Sequence, residues 1–497
     1  MKSTLKITFF GLAFLSVPII LYQLYSQTGS AVGGTLTETD SNQGSSVAVP
    51  LENNVPRSQP TIPTSVGGGG TLRIASETKP TLSEGTATPP KSEPTLPNIV
   101  YLLADDLGYG DVAYNGGVAQ TPNLDEMASS LHSIQFNRFY SGGPVCSPTR
   151  GTLLTGRNHN RYCIWHADIG VPRSDLTCPS LMPLPPSELT VAEILSEVGY
   201  HTAIYGKWHV GDLRKVPGGN KKWPVSNPTM HGFREWLVTE RHTSNILPNC
   251  RCSHNDYSCK LNGRKYNVVF CRDYWYENPL TGQLEKSRRQ VFEDSHYIVD
   301  RFEEFLKNRN KSRPFYSQLS FHSVHSQYLA TPYWYNIYLK KYNADRSHYL
   351  GATSALDEAV GRVRILLKKY GIAENTLLWF SSDNGPQKNE PGSAGKLRGR
   401  KGDVLEGGIR VPGIIEWPAI IHGNRKTSVP VVTTDFLPTV AEIVGYKLPR
   451  NLLLDGISIL PILNDVAGDR PRGNNIKYAF YLKRGKLDVN FRAAVVG

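Results

Sequence analysis

Four short apolar runs, each ending abruptly in polar and ionisable residues, organise this chain. Residues 98–104, Asn-Ile-Val-Tyr-Leu-Leu-Ala, are rich in strand-forming side chains and stop at Asp105-Asp106. Residues 201–205 run into Gly206-Lys207-Trp208-His209, residues 314–321 into His322, and residues 376–380 into Ser381-Ser382-Asp383-Asn384. Apolar runs of this length predict buried strands. Helical patterns separate them, over 189–198, 291–308 and 349–370. Strand and helix in alternation predict an α/β fold: a large, mostly parallel or mixed sheet sandwiched by helices. Such sheets bind ligands beyond the carboxyl ends of their strands, so one geometric rule gathers residues hundreds of positions apart into a single pocket.

Asp105, Asp106, Asp383 and Asn384 would meet there as hard oxygen donors, a set that suits calcium or magnesium. Clustered carboxylates repel and raise one another's pKa, so a divalent cation is their natural neutraliser. Taken singly, Asp-Asp after a strand reads equally as a helix cap, and Asp383-Asn384-Gly385 as a turn. Lys207, His209 and His322 sit at the same strand ends, and Lys401 closes the basic run Lys396-Leu-Arg-Gly-Arg-Lys401. Each is a cationic or proton-transferring group with a plain structural alternative, a solvated lysine or a capping histidine.

The run Cys146-Ser-Pro-Thr-Arg150, continued as Gly-Thr-Leu-Leu-Thr-Gly-Arg157, isolates one cysteine. Gly142-Gly143-Pro144 ahead of it predicts a tight turn, and the segment after Pro148 a helix, which puts Cys146 near a helix N-terminus. Free amide donors and the positive dipole end hold anions such as sulfate or phosphate there, and Arg150 adds a fork of donors. A buried thiol beside a capping turn is the alternative.

Cys146-Ser-Pro-Thr-Arg150 followed by Leu154-Thr155-Gly156-Arg157 resembles the signature of the formylglycine-dependent, arylsulfatase-like (type I) sulfatases, and the similarity runs from about Asn98 onward. The resemblance implies an alkaline-phosphatase-like fold and oxidation of Cys146 to formylglycine by a separate generating enzyme. It implies calcium held by Asp105, Asp106, Asp383, Asn384 and the converted Cys146, with Arg150 steadying the converted side chain. Lys207, His322 and Lys401 match the groups that hold sulfate, and His209 the histidine beside the aldehyde hydrate. His322 comes from Phe321-His-Ser-Val-His-Ser326, where many relatives have His-x-Pro-His, so the choice between His322 and His325 stays open. Ser244 is a weak match to a serine some relatives place after the Gly-Lys-x-His strand.

The implied reaction is hydrolysis of a sulfate ester. One hydroxyl of the hydrate attacks sulfur, His322 or Lys401 protonates the leaving oxygen, and His209 deprotonates the second hydroxyl to expel sulfate from a sulfoenzyme intermediate. Two other readings compete. One is a phosphatase or phosphodiesterase of the same superfold. The other is a non-catalytic protein that binds sulfated glycans through an unconverted Cys146.

Composition adds the setting. The chain has 497 residues, 39% hydrophobic and 20% charged, an ordinary globular balance, and its net charge of +12 favours an anionic substrate or surface. A sulfated carbohydrate is the leading expectation, an aryl sulfate the second; no nucleic-acid partner is expected. Residues 7–24 are apolar behind Lys2 and Lys6 and direct the chain to the secretory route, as signal peptide or signal anchor within 1–25. Secreted, lysosomal, periplasmic and membrane-anchored destinations all remain open, with membrane contact through this segment alone. Residues 26–96 read as a disordered Ser/Thr/Pro/Gly-rich linker, 97–472 as the catalytic domain, and 473–497 as the start of a truncated antiparallel subdomain. Seven cysteines leave six beside Cys146: Cys163, Cys178, Cys250, Cys252, Cys259 and Cys271. They suit three disulfides, several of them stapling an insertion at about 245–275, with a zinc site as the weaker alternative. Asn310-Lys-Ser312 is an N-glycosylation acceptor motif.

Overall fold

The structure, a computed structural model, describes residues 96–167, 183–213, 225–241, 258–261, 264–267, 273–287, 293–465, 478–484 and 489–495. All of them fall within one compact unit, Pro89–Gly497. A ten-stranded sheet runs through it, ordered Arg425–Thr427, Ser133–Phe136, Gly413–Glu416, Thr376–Ser382, Asn98–Ala104, Phe315–Ser320, His201–Lys207, Glu235–Thr239, Tyr274–Glu277, Leu284–Ser287. The four predicted strands lie side by side at its centre and are parallel, with Glu235–Thr239 continuing the parallel run. Antiparallel pairings begin on either side, at Gly413–Glu416 and Tyr274–Glu277, so the sheet is mixed.

Both faces of the central strands are covered, which is why their sequences are continuously apolar. Along Asn98–Ala104, Val100, Leu102 and Ala104 join one core cluster, and Ile99, Tyr101 and Leu103 the other, the two-residue alternation of a pleated strand. Helices Pro122–Ser129, Asp294–Asn308, Pro332–Leu339 and Ala344–Lys369 contribute to the first cluster. Cys146–Thr155, Val191–Glu197 and Phe436–Ile443 contribute to the second. The alternation therefore builds a helix–sheet–helix sandwich.

Observed boundaries differ from the predicted ones for local reasons. The long helix begins at Ala344, ahead of the expected 349, because the Asn343 side chain accepts a hydrogen bond from Arg346 N–H and caps a polar first turn. Strands Thr376–Ser382 and His201–Lys207 extend beyond their apolar runs, carrying Ser381, Ser382 and Lys207 as paired strand residues.

Within the cysteine-rich stretch, Ser258–Leu261 pairs antiparallel with Arg264–Asn267. Cys163 is disulfide-bonded and Cys146 is free. Cys178, Cys250, Cys252, Cys271 and Ser244 lie outside the described residues, as do residues 1–95 with the apolar segment and linker. No helix among the described residues is long and apolar enough to cross a membrane. Tyr478–Arg484 and Val489–Val495 form an antiparallel pair.

Candidate active site

The centre assembles where the parallel strands end. Cys146 is the first residue of helix Cys146–Thr155, with Val145 in extended conformation as its cap residue. Pro148 falls in the first turn, where its missing N–H would have had no helical partner. The turn ahead folds back on this helix: Thr149 Oγ1 donates to the Gly143 carbonyl at 2.9 Å and accepts from Gly143 N–H at 3.1 Å. Glycine is required at 142, where a Cβ would lie 2.0 Å from Thr152 Oγ1.

Cys146 is 1% exposed, and its thiol donates to Asp105 Oδ1 at 3.5 Å. Lys207 Nζ donates to the other oxygen of Asp105 at 2.6 Å. Arg150 places Nε and Nη2 on Asp383 Oδ2 at 3.2 and 2.8 Å, and Nη1 on the Lys207 carbonyl at 2.9 Å. Asp383 Oδ1 accepts from the backbone N–H of Asp106 at 3.1 Å. The Asp106 carboxylate in turn accepts from Lys401 Nζ at 2.8 Å and from Asn384 Nδ2 at 2.6 Å. Lys401 arrives on a loop tied to the Cys146 turn, since Gly402 N–H donates to the Pro144 carbonyl at 2.8 Å. Three carboxylates and three cations thus alternate within one buried cluster.

Two residues here adopt left-handed backbone, Asp106 at φ 61° and His209 at φ 58°. For non-glycine residues that costs about 1–3 kcal/mol, a strain concentrated at functional sites. His209 follows Lys207 and Trp208 and is buried.

Electrostatics follow from burial and neighbours. Burial alone would raise the Asp105 carboxyl, but Lys207 and Arg150 hold it below the usual carboxylate range. For Asp383, burial and the adjacent Asp105 win, and its pKa is raised. Burial opposes the Lys401 charge, yet Asp106 and the other acids raise its pKa. The Cys146 thiol is pushed up to about 12, by burial first and then by Asp383, against the pull of Lys207 and Lys401. An unmodified thiol here is protonated at neutral pH and a poor nucleophile.

His322 is where expectation and structure part. Its Nδ1 is 2.5 Å from Asp294 Oδ2 and its Nε2 is 2.8 Å from Thr239 Oγ1, so both ring nitrogens are engaged by residues outside the cluster of acids and cations. His325 is the histidine at the centre, with Nε2 3.6 Å from Asp106 Oδ2. Asp105, Asp106, Cys146 and His325 offer ligand atoms all within 4.8 Å of one another. Burial, then Lys401 and Lys207, lower the His325 pKa well below its ordinary value, leaving the ring neutral. The signal for His325 was in the sequence, as the second histidine of His-Ser-Val-His; spacing did not say which one turns inward.

The cluster suits a hard cation. Asn384 spends its amide N–H groups on Asp106 and the Gly385 carbonyl, while its Oδ1 is buried with no hydrogen-bond partner. A buried acceptor beside three carboxylates is what a divalent ion with oxygen preference would satisfy.

The chain is similar to known proteins over most of its described length. The sulfatase family model matches residues 97–446. N-acetylgalactosamine-6-sulfatase of Mus musculus is 32% identical over 403 residues, covering 77% of this chain and 70% of that protein. Steryl-sulfatase of Rattus norvegicus is 29% identical over 427 residues, covering 74% and 70%. Among solved structures, Ps i-CgsB in complex with k-i-k-neocarrahexaose superposes with a TM-score of 0.62 at 27% identity, covering 78% of this chain and 80% of that one. The family model's span and the Mus musculus relative's identity and coverage place this chain in the sulfatase family, as a sulfuric ester hydrolase whose family implies a metal and a formylglycine.

Proposed function

We propose that this sulfatase hydrolyses sulfate esters of carbohydrates, using a formylglycine made from Cys146. The observation that carries the reading is the convergence of a helix-N-terminal Cys146 on Asp105 within a cluster of alternating acids and cations. Asp105, Asp106, Asp383 and Asn384, with residue 146 once converted, would hold calcium, which supplies positive charge for the sulfuryl oxygens. Conversion gives residue 146 an aldehyde, and addition of water to it gives the two hydroxyls that sulfuryl transfer and sulfate release require. The buried thiol, with its pKa pushed up to about 12, supports the need for that conversion.

In this reading Arg150 holds residue 146 and Asp383 in register, and Lys207 and Lys401 receive the sulfate. His209 takes the proton whose loss releases sulfate. His325, rather than His322, gives a proton to the leaving oxygen together with Lys401. The anionic substrate offsets Lys207 and Lys401, two of the causes that keep His325 neutral, and so favours its protonation when the ester is bound.

The carbohydrate reading draws on the relatives: one is named for N-acetylgalactosamine 6-sulfate chemistry, and one solved neighbour holds a neocarrahexaose. The disulfide at Cys163 supports an oxidising, secretory setting for this chain. Asn310 lies on an exposed turn, where a glycosylation acceptor must be. The test is a side-by-side assay of an aryl sulfate and an aryl phosphate with the wild type and Cys146→Ala. The proposal expects turnover of the sulfate, lost in the variant; multiple turnover by Cys146→Ala, or preference for the phosphate, defeats it.

A further inference from the structure

The Asp294, His322 and Thr239 side chains form a line of short hydrogen bonds with no role in the chemistry above. All three are fully buried, and their hydrogen bonds run to one another, to Tyr274 and to the Arg241 carbonyl. His322 Nδ1 meets Asp294 Oδ2 at 2.5 Å, and Tyr274 donates its hydroxyl to Asp294 Oδ1 at 2.8 Å. At the other end His322 Nε2 lies 2.8 Å from Thr239 Oγ1, which donates to the Arg241 carbonyl at 2.5 Å. A hydroxyl has one proton, and a carbonyl can only accept. With that proton committed to Arg241, Nε2 is left to donate to Thr239, while Nδ1 faces the Asp294 carboxylate. Both ring nitrogens are thus engaged, and the ring is locked between two elements.

Those elements are the first turn of helix Asp294–Asn308 and the end of strand Glu235–Thr239. From His322 the chain closes a tight turn, His325 N–H donating to the His322 carbonyl at 2.9 Å. The turn is stitched to the first acidic residue of the site: Asp105 N–H donates to the Ser323 carbonyl at 3.0 Å, and Val324 N–H donates to the Asp105 carbonyl at 2.7 Å. Ser295 and Ser323 hydroxyls meet at 3.1 Å, a second tie to the same helix. Whatever fixes His322 therefore fixes the origin of the turn that presents His325 to Asp106.

We infer that Asp294, His322 and Thr239 are positioning residues that set the reach of His325 into the site. This rests on the role given to His325 above. It predicts that loosening the line slows the chemical step without weakening substrate binding, because sulfate binding is assigned to Lys207 and Lys401 and not to the line.

The experiment uses the converted full-length enzyme and an aryl sulfate. Thr239→Val removes one hydroxyl at nearly constant shape, Asp294→Asn keeps an acceptor but removes the charge, and each is measured alone and combined with His325→Ala. A displaced catalytic group costs up to about 100-fold, so kcat is expected to fall about 10- to 100-fold in each single variant with KM within about twofold. Combined with His325→Ala, neither change should slow the enzyme further. A folded Thr239→Val with wild-type kcat overturns the inference, and so does a loss that multiplies undiminished onto His325→Ala. Wild-type kcat in His325→Ala alone is a different failure, that of the role given to His325 itself. Should Asp294→Asn fail to fold, Thr239→Val carries the test.

Discussion

Replacing Arg150 by Met keeps the length of the stem and removes the guanidinium from the middle of the cluster. Three hydrogen bonds disappear, two to Asp383 Oδ2 and one to the Lys207 carbonyl. Asp383 is left fully buried beside Asp105 without its nearest cation. Breaking one side of a buried ion pair costs about 3–5 kcal/mol, most of it the desolvation of the stranded charge. The pH dependence has a definite sign. Burial and Asp105 already raise the Asp383 carboxyl, and Arg150 is the first of the cations opposing them, so the variant raises it further. A carboxyl whose folded pKa is raised destabilises the fold above that pKa and stops doing so once protonated. The gap between variant and wild type should therefore narrow as pH falls from neutral toward the ordinary carboxylate range. Urea unfolding followed by tryptophan fluorescence, in chelator, measures both quantities. A gap below about 1 kcal/mol at neutral pH, or one that widens on acidification, would refute the pairing argument.

Other consequences can be checked separately. Gly206→Ala should be among the most disruptive single changes, since φ there is +103° and a Cβ would lie 1.9 Å from the Ser320 carbonyl oxygen of the neighbouring strand; soluble yield and thermal midpoint report it, and a midpoint equal to wild type would contradict the register. Asp105→Asn and Asp383→Asn should weaken divalent binding and leave an enzyme that chelator silences and added calcium restores only in part. Equal activity with and without chelator in the wild type would count against a metal at these carboxylates.

The sequence disclosed the middle of this molecule better than its edges. Strands Asn98–Ala104 and Thr376–Ser382 are buried on both faces, so their apolar runs are unbroken and their ends stand out as Asp105-Asp106 and Asp383-Asn384. The flanking strands Ser133–Phe136, Tyr274–Glu277 and Leu284–Ser287 are four residues each, too short for periodicity to register, and their antiparallel pairing is set by the sheet. Helix Cys146–Thr155 was legible from Gly142-Gly143 and Pro148, because turn and first-turn chemistry are local. The histidine was not. His322 and His325 both follow the Phe315–Ser320 strand, and only the buried Asp294 and Thr239, distant in sequence, decide that His322 is drawn away from the centre. Pairwise hydrogen bonding across the fold lies beyond what spacing can express.

In the proposed reaction everything depends on Cys146 as the precursor of the reactive group. Mass spectrometry of the tryptic peptide Phe139 to Arg150, from protein made in its own or a modification-competent host, tests it directly. Loss of the thiol and an aldehyde mass at residue 146 are expected, in proportion to the specific activity on aryl sulfate. Full activity from protein whose peptide carries an intact cysteine would overturn this reading.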